Sequence, residues 1–122
     1  MKTYEDLEVY KRSYKLALEI YKFSFTIPQN LQYDLADDIR RAARSVPSNI
    51  AEGYGRRKSN KDTTYYLKIS LGSCFEVIFN LKFLRDLELI KDSEYGHFLE
   101  EFTICAKQLN RLISSLTEQP EH

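Results

Sequence analysis

The segment RRAARSVPSNIAEGYGRRK, residues 40–58, places arginines, a proline and two glycines within a pattern that is otherwise helical. Apolar residues continue through it at helical spacing, since Val46 and Ile50 extend the stripe that begins at Leu35. Pro47 interrupts the stripe without changing its phase, which favours a kinked but continuous helix. The alternative is that one helix stops at Val46 and another starts at Pro47. A proline inside a helix removes a backbone donor and costs about 3 kcal/mol unless neighbours compensate.

Four residues of this segment are predicted to shape the second helix. Pro47 bends it, and Asn49 and Glu52 lie three residues apart at the border of the apolar face, where they can bond the backbone that the proline frees. Gly53 is expected to end the helix, because glycine adopts the left-handed cap conformation at low cost. Asn49 and Glu52 could instead orient a catalytic group, but no second titratable partner for acid–base catalysis can be identified.

Apolar residues recur at three-and-four spacing on both sides of this segment and predict three further helices. We expect helices over residues 4–25, 31–53, 60–89 and 93–116 of a single domain, 1–122. Ser59 and Asp62 open the third helix in a capping-box-like arrangement. Short connections between long helices favour antiparallel neighbours. The predicted fold is therefore all-α, an antiparallel up-down-up-down four-helix bundle.

The composition is that of a globular protein with one core. Of the 122 residues, 43% are apolar and 30% are charged, which excludes a disordered or collagen-like chain. No apolar run is long enough to span a membrane, and the polar, acidic start lacks the apolar core of a secretory signal. We therefore expect a cytoplasmic protein with no membrane partner.

Residues that could support catalysis or bind a cofactor are scarce. His97 follows Glu94 in a Glu-x-x-His element, but di-iron bundles need two such elements and further inward glutamates. Cys74 and Cys105 are too far apart for a zinc-ligand pattern and fall on apolar helix faces, where buried reduced thiols are expected. No phosphate-binding glycine motif is present. We expect no enzyme, no metal, no cofactor and no small-molecule substrate.

Charge is balanced over the whole chain, with 18 basic and 18 acidic residues, but it is unevenly distributed. Residues 38–68 hold eight basic side chains against three acidic ones. On a helical projection the arginines of the second helix point away from its apolar face. With the loop that follows, they give the candidate nucleic-acid-binding residues: Arg40, Arg41, Arg44, Arg56, Arg57, Lys58 and Lys61. Tyr54 offers a ring for stacking. On charge alone, this face can equally be a solvated surface, or one paired with acidic neighbours in an oligomer.

The first and third predicted helices carry more apolar residues than one bundle core needs. Each has a second apolar stripe beside the first, and monomeric proteins rarely expose patches of that size. We therefore predict a homo-oligomer. Its candidate interface residues are Leu16, Ile20, Phe23, Phe75, Phe79 and Phe83.

The pattern R-R-A-x-x-S-V-P-S-N-I-A-E-G-x-x-R, residues 40–56, resembles the signature of four-helix-bundle proteins encoded by intervening sequences in bacterial 23S rRNA genes. The similarity extends to LKISLGSCFE, residues 67–76, where a Gly-Ser pair precedes a glutamate as in the family's third helix. Helix number and chain length also agree, so the resemblance covers nearly the whole chain.

This resemblance implies a bacterial up-down bundle, often a pentamer and sometimes labelled a ribosomal protein, whose biochemical role is poorly defined. The fold is also similar to the accessory variability protein of diversity-generating retroelements, a basic pentamer that binds nucleic acid and a reverse transcriptase. This chain departs from that relative in its net charge of zero. The resemblance implies no catalytic residues.

The expected function is that of a non-enzymatic, oligomeric bundle that binds RNA or a ribonucleoprotein through its basic face. The alternative is a protein-interaction or structural module whose basic face engages acidic protein surfaces.

Overall fold

Four long helices make up most of the computed structural model, which describes residues 3–56 and 58–118. They are α1 Glu8–Ser24, α2 Asp37–Arg56, α3 Asn60–Asp86 and α4 Asp92–Glu118. No strand occurs within these described residues. The prediction of an all-α fold with four helices is therefore confirmed.

Contacts between side chains and backbone show that sequential helices run antiparallel. Between α2 and α3, the Ser70 hydroxyl donates to the Val46 carbonyl at 2.7 Å, and further along, the Thr63 hydroxyl donates to the Gly53 carbonyl at 3.3 Å. Residue numbers thus rise on one helix as they fall on the other. Between α3 and α4, Asn60 bonds the carbonyl of Leu116 near one end of the bundle. The helices form the predicted up-down-up-down four-helix bundle.

The first predicted helix, residues 4–25, is divided in two. Residues Tyr4–Asp6 form a 3₁₀ turn, and α1 starts only at Glu8 because Leu7 adopts an extended conformation, with φ −70° and ψ 131°. α1 ends at Ser24, whose hydroxyl bonds the carbonyl of Tyr21 at 2.6 Å.

The second predicted helix, residues 31–53, begins and ends later than expected. A 3₁₀ turn, Gln29–Leu31, and a π-helical turn, Gln32–Ala36, come before α2. Gln32 is buried in this connector, and its side-chain amide donates to the carbonyls of Ser24 and Ile27 at 2.9 and 2.8 Å. These bonds satisfy backbone acceptors at the end of α1, so the connector acts as its cap.

α2 is continuous through Pro47 and ends at Arg56. The predicted continuous helix is confirmed, and the alternative break at Val46 is wrong. The prediction that Gly53 ends the helix is wrong. Gly53 lies inside α2, and its φ is not positive.

The last two helices match their predicted positions, 60–89 and 93–116, within three residues at each end. The Ser59 hydroxyl caps α3 by accepting from the backbone of Asp62 at 3.1 Å. α3 stops at Asp86, because Glu88 turns into the left-handed conformation with φ 60°. The backbone NH groups of Glu88 and Leu89 then donate to the carbonyls of Arg85 and Leu84, both at 2.9 Å, as in a Schellman motif.

The core lies between the four helices and receives side chains from each of them. Its largest fully buried members include Leu16, Ile20, Ile39, Ile50, Leu67, Leu81, Phe102 and Leu109. Cys74 and Cys105 are buried free thiols, as predicted. None of the helices in the described part of the chain is long and apolar enough to cross a bilayer.

Candidate nucleic-acid interface

The start of α3 and the end of α4 form a groove of about 420 Å³ with basic and aromatic walls. Lys61, Tyr65 and Lys68 are spaced by four and three residues, which places them on one face of α3. All three are exposed, and all three line this groove. Lys68 contributes to the basic excess of residues 38–68, and its position seven residues after Lys61 is the signal that assigns it to the same face.

Polar groups lie in the wall of this groove. Asn60 spans it by donating to the carbonyl of Leu116 at 3.3 Å. Thr64 is 5% exposed, and its hydroxyl has no hydrogen-bond partner within the described residues. The groove therefore combines two ammonium groups, an exposed phenol ring and an unsatisfied hydroxyl, which suits a ligand with both a ring and anionic oxygens.

Other basic residues surround the connection between α2 and α3. Lys58 is exposed and forms no ion pair with the described residues. Arg56 contacts Glu52 at 3.2 Å, and its guanidinium lies 5.4 Å from the centre of the Tyr66 ring. The predicted site residue Arg57 lies outside the described residues. Lys58, Lys61 and Lys68 are the exposed lysines around this connection and the groove.

The prediction that Arg40 points away from the protein is wrong. Its guanidinium donates to the Ser24 hydroxyl at 2.8 Å and to the side chain and carbonyl of Gln32 at 3.0 and 2.9 Å. It also lies 4.6 Å from the centre of the Phe25 ring. Arg40 therefore joins the end of α1 to the connector, and three hydrogen bonds hold its guanidinium there.

Arg41 and Arg44 are exposed, as predicted, but they lie in different surroundings. Arg41 is paired with Asp37 at 3.1 Å and with Asp38 at 2.9 Å. Arg44 forms no ion pair with the described residues and lines a groove between α1 and α2. The three arginines consequently do not form one basic face.

Neither Asn49 nor Glu52 bonds the carbonyl of Ala43, the acceptor that Pro47 leaves without its helical donor, so the prediction that they bond this backbone is wrong. The Asn49 amide donates to the carbonyl and the hydroxyl of Ser45, both at 2.9 Å. The Ser45 hydroxyl also bonds that of Ser73 on α3 at 2.7 Å. Glu52 is exposed and pairs with Arg56 one turn later. The bond between Ser45 and Ser73 ties α2 to α3 next to the proline.

Of the two sets of predicted interface residues, the set on α1 is buried and the set on α3 is exposed. Leu16, Ile20 and Phe23 lie in the core of the protein, so their assignment to an oligomer interface is wrong. The neighbouring stripe of α1, with Tyr14, Leu18 and Tyr21, is exposed instead. Both stripes have the same period, and only the packing of α2 and α4 decides which of them faces inward. The phenylalanines of α3 are exposed: Phe75, Phe79 and Phe83.

Titratable side chains of α1 and α4 line a further groove of about 350 Å³, among them Glu8, Lys11, Lys15, Glu19, His97 and Glu101. His97 contacts Glu19 at 2.8 Å, and Arg12 contacts Glu101 at 2.6 Å, so both pairs join α1 to α4. The described residues contain no group of three or more His, Cys, Asp or Glu side chains that could hold a metal ion.

Comparison with known proteins identifies a matching family and a similar solved structure. The family model of 23S rRNA-intervening sequence proteins matches residues 5–111. The crystal structure of a protein of unknown function from the S23 ribosomal protein family of Bacteroides thetaiotaomicron is similar, with a TM-score of 0.79 and 24% identity. The match covers 87% of this chain and 95% of that one. At this identity the similarity shows a shared fold. No curated protein matches the chain.

Proposed function

The chain belongs to the family of 23S rRNA-intervening sequence proteins, and from this premise we propose that it is a non-enzymatic, self-associating four-helix bundle that binds RNA. The binding surface is the basic corner, which we define as Lys58, Lys61, Tyr65 and Lys68. This surface retains the loop lysines of the sequence prediction and omits Arg40, Arg41 and Arg44, which lie elsewhere on the bundle. It also omits Arg56, which pairs with Glu52.

The observation that carries this proposal is the groove that holds an exposed aromatic ring between two lysines. Proteins that bind single-stranded nucleic acid combine cationic side chains for the phosphates with aromatic rings on which bases stack. Tyr65 is 60% exposed and can present its ring to a base. Lys61 and Lys68 lie one turn before and one turn after it, where they can reach the adjacent phosphates.

Because the charge of the chain is balanced, attraction for RNA has to come from a local cluster of basic residues. A protein with no net charge has no overall attraction for RNA, but a local cluster still creates a positive potential over its own surface. At physiological salt the Debye length is about 8 Å, so charges elsewhere on the bundle are screened from this corner. We therefore expect moderate affinity that depends strongly on salt.

Binding of a short, fluorescently labelled single-stranded RNA of mixed sequence, measured by anisotropy at several salt concentrations, tests the proposal. Replacing Lys58, Lys61 and Lys68 by alanine should weaken binding and lower the slope of log affinity against log salt by about 2, because each neutralised phosphate of a single strand contributes about 0.7. Tyr65→Ala should weaken binding without changing this slope.

A control variant with alanine at Lys22, Lys91 and Lys107 removes the same charge away from the corner. It should bind RNA as the wild type does. If the two triple variants lose affinity equally, or if neither loses any, the basic corner is not the binding site. Equal binding of an acidic polypeptide and of RNA by the wild type would instead favour a protein-interaction module.

A further inference from the structure

Two apolar surfaces remain exposed on the bundle. The first is a groove of about 530 Å³ between α1 and α2, which we name the α1–α2 groove. Its apolar lining comes from Tyr10, Tyr14, Leu18 and Tyr21 on α1, and Pro47 and Ala51 on α2. Tyr14 and Leu18 are 51% and 50% exposed, so the groove is open to an occupant.

The second surface is a row of phenylalanines on α3, Phe75, Phe79 and Phe83, which we name the α3 ridge. These residues follow one another at intervals of four, so they form one continuous row along the helix. Phe79 is 64% exposed, and the rings of Phe79 and Phe83 stack with their centres 6.1 Å apart. α3 is thus apolar on its core face and also on the opposite face, which is typical of a helix that is covered on both sides.

The charges beside these two surfaces are opposite and unsatisfied. Arg44 lines the α1–α2 groove, and Glu76 lies next to the α3 ridge, one turn before Phe79 and Asn80. Neither forms an ion pair with the described residues. Arg41, by contrast, lies one turn before Arg44 and is paired with two aspartates. The groove therefore offers a free cation among aromatic rings, and the ridge offers a free anion beside its own.

We infer that the α3 ridge of one copy of this chain packs into the α1–α2 groove of the next copy, with Glu76 directed at Arg44. This inference rests on the self-association in the proposed function and specifies its geometry. A row of side chains spaced by four is the usual ridge that enters the groove of another helix. The complementary pair of charges identifies that other helix as belonging to a second copy.

The positions of the two surfaces determine the kind of assembly. The groove and the ridge belong to opposite sides of α2, since α1 packs on one side of it and α3 on the other. Different surfaces of the two copies meet, so the contact is heterologous, and each copy can hold one neighbour at its groove and another at its ridge. Such contacts give closed rings or open filaments, whereas a two-fold dimer would use the same surface on both copies.

Mixing two variants that are each defective at one surface tests this contact. Phe79→Asp removes the ridge and Leu18→Asp removes the groove, and both positions are exposed, so the fold should be retained, which circular dichroism checks. By light scattering after size exclusion, each variant alone should be monomeric. An equimolar mixture should form a one-to-one dimer and nothing larger, because only one intact groove and one intact ridge remain to meet.

The outcomes distinguish a failure of self-association itself from a failure of the contact between the α3 ridge and the α1–α2 groove. A wild-type protein that is monomeric at every concentration overturns both self-association and this contact. A wild-type oligomer whose two variants do not dimerise on mixing, or whose variants still assemble alone, overturns the contact and leaves self-association in place.

The charge pair has its own test. Arg44→Glu should weaken self-association at least about tenfold, and adding Glu76→Arg should restore it, whereas Lys107→Glu on α4 should have no effect. A failure of the second change to rescue the first overturns the pairing of Arg44 with Glu76.

Discussion

Gly53 lies inside α2 at the point where α3 approaches most closely. A Cβ atom at this position would lie 3.0 Å from the Cβ of Tyr66 and 3.1 Å from the carbonyl oxygen of Thr63. Both are fixed by the backbone of α3, so neither can move away cheaply. The Thr63 hydroxyl also bonds the Gly53 carbonyl at 3.3 Å. The glycine is required here by the distance between two helices rather than by a cap.

Replacing Gly53 by alanine should therefore destabilise the protein. Alanine is favoured over glycine inside a helix by about 1 kcal/mol, but overpacking at this contact costs about 1–3 kcal/mol, so the net free energy of unfolding should fall by up to about 2 kcal/mol. Urea denaturation followed by circular dichroism, at a fixed protein concentration, measures the change.

Gly96→Ala is the matched control, because Gly96 lies in α4 and a Cβ atom added there would meet no neighbouring atom within 4 Å. It should raise the free energy of unfolding by up to about 1 kcal/mol. Equal stabilisation by both substitutions would contradict the close contact at Gly53.

The sequence pattern predicts which face of a helix a residue lies on, but it does not predict which residues that side chain contacts. It places Arg40, Arg41 and Arg44 opposite the apolar stripe of α2, and two of them are exposed there. The partners of Arg40, Ser24 and Gln32, come from the end of α1 and from an irregular connector whose path no periodicity encodes. The structural role of Arg40 could be found only after that connector was placed.

At the scale of elements, the end of α3 shows why helix boundaries are harder to predict than helices. The apolar pattern continues to Leu89, but the helix ends at Asp86 in a Schellman motif with Glu88 at the left-handed position. Glycine usually occupies this position, and its absence removes the sequence signal. The connector before α2 is similar, because its π-helical turn is fixed by the buried amide of Gln32.

Glu88→Gly should stabilise the protein, because glycine adopts the left-handed conformation without the steric cost that other residues bear. We expect the free energy of unfolding to rise by about 1 kcal/mol in urea denaturation. Glu100→Gly, at an exposed position inside α4, should lower it by a similar amount. Loss of stability in both variants would show that Glu88 does not hold the left-handed conformation in solution.

At the scale of the whole molecule, the number of helices and the fold follow from apolar periodicity, which the burial of Ile39, Ile50, Leu67 and Leu109 confirms. Periodicity does not predict which of the two apolar stripes of α1 faces the core, since both stripes have the same period. The choice is settled by the packing of α1 against α2 and α4, in which Leu16 and Ile20 are buried. The stripe left outside supplies the α1–α2 groove, so this exposed apolar surface can be identified only once the core is known.

Two buried thiols in the core should make the bundle less stable as the pH becomes alkaline. Cys74 on α3 and Cys105 on α4 have no exposed surface. Burial raises the pKa of both thiols, that of Cys105 to about 12, because the thiolate would lose its hydration. In the unfolded chain a cysteine titrates with a pKa of about 8.5. The unfolded state therefore releases these protons first as the pH rises.

The stabilising effect of these two thiols is complete below the unfolded pKa and is lost as the pH rises towards the folded pKa. Between pH 8 and about pH 9.5, the free energy of unfolding should fall by about 2 kcal/mol more in the wild type than in a variant with alanine at Cys74 and Cys105. Comparing the two proteins cancels the titration of the tyrosines, which both contain. Parallel pH profiles in urea denaturation would show that the thiolates form in the folded core at no added cost.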